Sequence, residues 1–262
     1  MKLAISNIAW ASEHNEAVYS LMQKYWFGGL EIAPTRIFAD APYEHIAEAE
    51  QWAQELQSRY GFVVPSMQSI WFGRSEKVFG SAEEREVLVG YTKKAIDFAA
   101  AIGCGNLVFG CPKNRVKPET ADEFAVINFF RQIGDYALDK GTVVAMEANP
   151  VIYNTNYINT TPEAFVLIDE VPSEGFKLNL DLGTMIYNQE LIYELAGKEK
   201  YINHLHISEP NLALIEKRKL HQEMADWLRE VRYEGFVSVE MSRQDNISDI
   251  EKVLCYVKEI FG

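Results

Sequence analysis

Histidine is scarce in this chain, five in 262 residues, and cysteine is scarcer still, at three. Cys104, Cys111 and Cys255 are an odd number with no C-x-x-C spacing, which argues against a disulfide framework and for a reducing compartment. Positive charge is also short. Lys and Arg number 25 against 38 Asp and Glu, a net charge of -13. Most of such a surface repels nucleic-acid phosphates, so no nucleic-acid partner is expected. No apolar run approaches the length of a membrane span, so no membrane partner is expected either. In "MKLAISNIAWASEHNE" polar and acidic residues end the apolar stretch too early for a signal peptide. The expectation is a soluble, cytoplasmic protein. There is no linker or low-complexity segment, and "ISNIAWASEHN" lacks the glycine fingerprint that often opens a dinucleotide-binding open sheet.

Apolar material, by contrast, is ample. Hydrophobic residues make up 48%, with 5 Trp, 13 Tyr and 14 Phe, enough to fill a substantial core. The aromatics also leave room for a homo-oligomer interface, although no segment marks one. Short apolar runs predict eight strands, over 2–9, 29–34, 62–68, 106–111, 142–149, 176–183, 202–208 and 236–241. Amphipathic stretches predict helices between them, over 13–26, 44–60, 82–103, 121–141, 161–171, 188–200, 220–235 and 246–262. Ser81 and Thr161 read as N-caps, with Pro162 at the first helical position, and Gly141 as a C-terminal cap. Eight strand–helix units in this length have the rhythm of an α/β fold, a single (β/α)8 TIM barrel spanning residues 1–262. A doubly wound open sheet is the rival. The longest non-helical tract, "SMQSIWFGRSEKVFGS", reads as a loop covering a pocket.

In such a barrel the C-terminal strand ends surround the active site. The fifth strand ends in Glu147 and the sixth in Asp181. The seventh carries His204 and His206, and the eighth ends in Glu240. The intervals from Glu147 to Asp181, His206 and Glu240 are 34, 25 and 34 residues, each close to one βα unit. Singly, each residue has an ordinary explanation as a helix cap, a surface acid or a core histidine. Four at one level are harder to explain so. Three carboxylates and an imidazole suit one divalent ion, Mn, Co, Mg or Zn. Without a cation, clustered acids raise one another's pKa.

Other strand-end residues are candidates for substrate contact. Lys113 and Arg115, in "CPKNR", can hold a phosphate or carboxylate, or can belong to a solvated turn. Trp71, with Trp10 and Phe72, can wall a sugar face, or simply pack. Gln68 and Asn7 can bond hydroxyls, and Asn149 and the deeper Asn179 can line the mouth.

The segments "ISNIAW", "GLEIAPTRIF", "LVFGCPKNR", "MEANPVIYNTNYINTTPEA", "LNLDLGTM", "HLHISEP" and "FVSVEM" span nearly the whole chain. Together they resemble the xylose-isomerase-like TIM-barrel superfamily, in its sugar phosphate isomerase/epimerase branch. The resemblance implies one divalent metal held by Glu147, Asp181, His206 and Glu240. It selects His206 over His204 as the ligand, and it makes Glu147 and Glu240 the catalytic pair on opposite sides of the substrate. His204 is then a supporting or substrate-side residue one layer deeper, and Glu209 a candidate to orient the ligands. The implied activity is isomerisation or epimerisation of a small sugar or polyol-derived substrate, anionic if the cations of "CPKNR" take part. It proceeds by proton abstraction next to a carbonyl through an ene-diolate.

Three positions depart from ketose epimerases of this superfamily. A substrate-binding Arg is replaced by Leu212, a substrate-binding His by Thr184, and a frequent Glu by Tyr153. An inosose-type dehydratase on the same metal site therefore stays open, as does a non-catalytic barrel with a binding role. A three-zinc DNA-repair endonuclease of the superfamily needs more histidines. Here Glu31, Gln68 and Gly110 stand at the ends of strands two to four.

Overall fold

Seven of the eight apolar runs pair as parallel strands in the computed structural model, which describes residues 1–262. They are β1 (Lys2–Ser6), β2 (Gly29–Glu31), β3 (Leu107–Phe109), β4 (Val144–Glu147), β5 (Phe176–Asp181), β6 (Ile202–Ile207) and β7 (Phe236–Val239), in the order β2-β1-β7-β6-β5-β4-β3. Parallel strands need crossovers, and helices supply them on the outside. These are α1 (Asn15–Lys24), α2 (Ile46–Tyr60), α3 (Ala82–Ala101), α4 (Glu123–Asp139), α5 (Thr161–Glu170), α6 (Leu182–Asn188), α7 (Lys219–Glu230) and α8 (Ile247–Phe261).

The expected strand over 62–68 does not form as a regular strand. Pro65 has no N–H to give a ladder. The segment still lies between β2 and β3 and joins them through bridges Gly29–Val63, Ile32–Met67 and Met67–Leu107. Gln68 N donates to Ile32 O at 2.8 Å, and Val108 N to Met67 O at 2.9 Å. An irregular eighth segment thus closes the ring of a TIM barrel.

Local chemistry explains most helix starts. Ser81 caps α3 in a capping box, where Glu84 N donates to Ser81 Oγ at 3.2 Å and Ser81 N to Glu84 Oε2 at 2.9 Å. The cap of α5 is Thr160 rather than Thr161, because Glu163 three residues on completes the box with Thr160. The expected helix over 188–200 is replaced. Helix α6 starts directly after β5, capped by Asp181, and Gln189 ends it in the left-handed region at φ 57°. Short 3-10 turns at Ile192–Leu195 and Glu199–Tyr201 follow.

Strands β4, β5 and β6 are buried on both faces; β4 reads as an apolar run ending in Glu147, while β5 and β6 carry polar side chains at every second position into the barrel interior or its lower end. Leu205 and Ile207 alternate with His204 and His206 along β6, so both imidazoles share one face. No helix is long and apolar enough to cross a membrane.

Candidate metal centre

Glu147 ends β4, Asp181 ends β5, His206 lies in the last turn of pleat of β6, and Glu240 directly follows β7. These strands are neighbours in register. Asp181 pairs with His206 on the adjoining strand, and Glu147 with Asn179. The parallel sheet therefore brings four chain-distant side chains together, with ligand atoms all within 4.8 Å of one another. All four are buried, His206 completely. Glu147, Asp181 and Glu240 face a cavity of about 170 Å³ that Gln68, Asn149, Tyr153 and Leu212 also line. Gly110 lets Glu147 take its place, since a Cβ there would stand 2.9 Å from Glu147 Oε2.

The surroundings of each acid are hydrogen-bonded. Glu147 accepts from Asn179 Nδ2 at 2.8 Å and Asn149 Nδ2 at 3.1 Å. Glu240 Oε1 accepts from Gln68 Nε2 at 2.7 Å. Asp181 accepts from Thr184 N at 2.7 Å and from the Ser208 hydroxyl. Beneath them lies an acid to which the sequence reading gave no role. Glu31, fully buried at the end of β2, lies 2.8 Å from His206 Nε2.

Burial pushes the Asp181 carboxyl up to about 6, with the Glu147 charge adding to it. Burial likewise pushes Glu240 up to about 7, with Glu147 and Glu31 adding and His206 opposing. Burial works against charge on His206, but the Glu31 and Glu240 carboxylates outweigh it and hold the imidazole well above its usual range. Glu31 is buried too, and its two imidazole neighbours hold it below the usual carboxylate range. A positive charge at the cluster is what these acids require.

One atom decides whether a cation fits. His206 Nδ1 is buried 2.9 Å from Glu147 Oε1 and 3.2 Å from Glu240 Oε2, yet has no hydrogen-bond partner. With Nε2 engaged at Glu31, Nδ1 is the nitrogen whose lone pair a cation would take in exchange for its proton. Three carboxylates and one imidazole are a donor set for a single divalent ion. The residues present fit the metal.

The profile of the family described as xylose isomerase-like TIM barrel matches residues 23–259. The chain belongs to this family. No curated protein sequence matches the chain. Among solved structures, the chain resembles a D-psicose 3-epimerase from Clostridium cellulolyticum H10, with a TM-score of 0.79 at 15% identity over 100% of this chain and 99% of that one. It also resembles an E. coli 3-keto-D-glucoside 4-epimerase, with a TM-score of 0.77 at 19% identity over 99% of each chain. A third is a probable 3-DHS dehydratase from Bacillus anthracis, with a TM-score of 0.71 at 15% identity over 99% of this chain and 98% of that one.

On this xylose isomerase-like frame the other candidates separate. Gln68 and Asn149 line the cavity, although each already holds a glutamate there. Lys113 is exposed, makes no ion pair, and lines an outer cavity of about 530 Å³ beside Phe72 and Arg74. That cavity shares Ser69, Cys111 and Pro112 with the inner one.

Arg115 is not beside it in function. It is fully buried, and its donors are spent on backbone oxygens and on Asn149, so none remains for a substrate anion. Trp71 also lines the outer cavity, but it is nearly buried there. It packs edge-on against Phe109 and Phe129, and its indole N–H donates to Thr92 Oγ1 at 2.8 Å. His204 is buried behind His206, 3.2 Å from Glu31, and does not line the cavity. Trp10 is core, with its N–H on Asn15, and Asn7 accepts from Ala33 N at 2.9 Å. Glu209 turns to Arg218, at 2.7 Å and 2.9 Å, rather than to the ligands.

Proposed function

We propose that the chain is a divalent-metal-dependent isomerase or epimerase of a small sugar or polyol-derived ketone. Proton removal next to the carbonyl would pass through an ene-diolate. The observation that carries this reading is the unpartnered His206 Nδ1 among Glu147, Asp181 and Glu240 at one cavity floor. Those four residues would hold the metal. When bound, a divalent cation supplies positive charge that stabilises the ene-diolate as it forms.

The chain's own groups supply the proton transfers. Glu147 comes from β4 and Glu240 from the end of β7, with β5 and β6 between them, so the two carboxylates flank the floor from different sides. A carboxylate has two oxygens and can hold a cation and exchange a proton. Burial pushes Glu240 up to about 7 in the metal-free chain, and a bound cation would lower it and favour the carboxylate, the form that accepts a proton. Removal by one glutamate and return by the other inverts the carbon. Return at the neighbouring carbon isomerises the sugar. Asn179 and Asn149 fix Glu147, and Gln68 fixes Glu240, so neither base must reorganise.

The three departures have structural counterparts. Leu212 and Tyr153 line the cavity, and the Tyr153 hydroxyl already accepts from Asn211 N at 2.9 Å. Thr184 is turned onto Asp181 and Ala148. A free hexulose would find few partners at its far end, which favours a substrate whose far end reaches the outer cavity and Lys113.

The test is solvent deuterium uptake. Mn²⁺-loaded protein is incubated in D₂O with ketoses, ketose phosphates, keto-glycosides and inososes, and the products are read by NMR. Deuterium next to the carbonyl in a recovered or epimerised sugar is the expected result. Loss of a hydroxyl instead would assign the dehydratase, which shares the first proton abstraction. No exchange in any class would refute the reading. For an anionic substrate, Lys113→Ala is expected to raise KM about three- to tenfold and to leave an uncharged counterpart unaffected.

A further inference from the structure

Glu31 contacts neither the cavity nor the ligand side of the cluster, yet it touches more of the centre than any other acid outside it. Its Oε2 is 2.8 Å from His206 Nε2 and 3.2 Å from His204 Nε2. Its Oε1 is 3.3 Å from Gln68 Nε2, the nitrogen that donates to Glu240 Oε1 at 2.7 Å and also lies 3.0 Å from Ser6 Oγ. We propose that Glu31 is the positioning carboxylate of the centre. Directly it fixes the tautomer of His206, and through Gln68 it fixes the orientation of Glu240, so that both present their lone pairs to one divalent cation. This rests on the metal-centre reading above.

The argument begins with what a carboxylate can do. It accepts hydrogen bonds and donates none, so the 2.8 Å contact requires the proton on His206 Nε2. The other nitrogen, Nδ1, is then the one free to exchange its proton for a cation, and it is the unpartnered atom observed. Without Glu31 the two tautomers compete. A ring carrying its proton on Nδ1 would aim that proton at Glu147 and Glu240 and block the cation. Partners of this kind set the orientation and basicity of ligating imidazoles, and losing one costs about 10–100-fold in metal affinity. A purely structural ion pair explains less, because a buried charge pair is a weak source of stability compared with apolar packing.

Glu31, His204 and His206 also converge closely enough to suggest a cation of their own. That would need His206 Nε2 to give up its proton and the one imidazole to bridge two ions. One ion per chain follows from the positioning role, and two would contradict it.

The experiment compares the native chain with Glu31→Gln and Glu31→Leu. Mn²⁺ and Zn²⁺ affinity and stoichiometry are measured by calorimetry, and the His206 ring nitrogens by ¹⁵N NMR of histidine-labelled protein with and without Zn²⁺. Melting of the metal-free proteins serves as the folding control. Expected are one ion per chain, a proton on Nε2 with Nδ1 on the ion in Zn²⁺-loaded native protein, and affinity about 10–100-fold weaker in the Leu variant with mixed tautomers. The Gln variant keeps an acceptor oxygen, so it should retain the tautomer and lose less affinity than Leu.

Native-like affinity and tautomer in a folded Leu variant would overturn the proposal. If Leu does not fold, a Gln variant with unchanged affinity would overturn it equally. Native protein that binds neither ion would refute the metal-centre reading itself, whereas tight native binding with an indifferent Glu31 would refute only this inference.

Discussion

Replacing Glu147 and Glu240 together by glutamine is expected to strip the protein of divalent metal and to lower solvent-deuterium exchange by at least about 10²–10⁴-fold, the usual worth of a positioned general acid or base. Glutamine keeps the shape of each side chain but removes two negative charges from the cluster. It also offers N–H groups where a cation needs oxygens. Elemental analysis of protein purified without chelator, beside the exchange assay, reads both losses.

The same variant should not be less stable without metal. Burial raises the folded-state pKa of Glu240 to about 7, above its ordinary value of 4.5. A carboxyl raised in this way binds its proton more tightly when folded. Its ionisation therefore costs stability progressively as pH rises from the unfolded value through 7, and that cost is fully present above it. At pH 8 the metal-free double variant should melt at or above the metal-free native protein. A native chain that keeps metal only at the expense of its own metal-free stability has a functional centre. A double variant with native metal content would instead leave a barrel with a binding role as the better reading.

The sites that were legible in the sequence share one signal. Glu147, Asp181 and Glu240 each interrupt an apolar run at its C-terminal end. Parallel βα spacing places every such end on one face of the sheet, whatever the loops do. Glu31 carries the same signal, an acid closing "GLE" in β2. What the sequence does not specify is its partner, since the contact to His206 spans 175 residues and two positions on different arcs of the barrel.

The failures are local backbone effects and long-range burial. Pro65 breaks an apolar run whose composition still looks like a strand. The periodic stretch over 188–200 loses its helix because Asp181 caps α6 first, and Gln189 and Gly197 then turn left-handed at φ 57° and 75°. Lys113 and Arg115 sit two residues apart in one turn, and composition treats them alike. Their fates differ because the loop after β4 folds over one and not the other.

That difference gives the second large expected effect. Arg115→Met should lower the melting temperature by on the order of 10 °C, while Lys113→Ala leaves it unchanged. The Arg115 guanidinium has five N–H groups. Nε donates to Gly110 O at 2.6 Å, one terminal nitrogen to Tyr157 O and to Ile158 O at 3.1 Å, and the other to Glu147 O at 3.0 Å and Asn149 Oδ1 at 2.6 Å. Burial lowers its pKa only to about 10, so the cation persists at neutral pH.

A methionine fills most of the space but leaves five oxygens without these donors, and uncompensated buried groups of this kind cost about 3–5 kcal/mol. Lysine would not repair the site, because a single ammonium cannot span oxygens from two loops. The loss should also reach the metal centre. Arg115 fixes Asn149 by its Oδ1, which leaves Asn149 Nδ2 facing Glu147 Oε2 at 3.1 Å. Arg115→Lys should therefore weaken Mn²⁺ binding as well as lower the melting temperature, although the guanidinium touches no ligand atom. An Arg115 that bound substrate anions would behave oppositely, with its removal raising KM and sparing both the melting temperature and the metal.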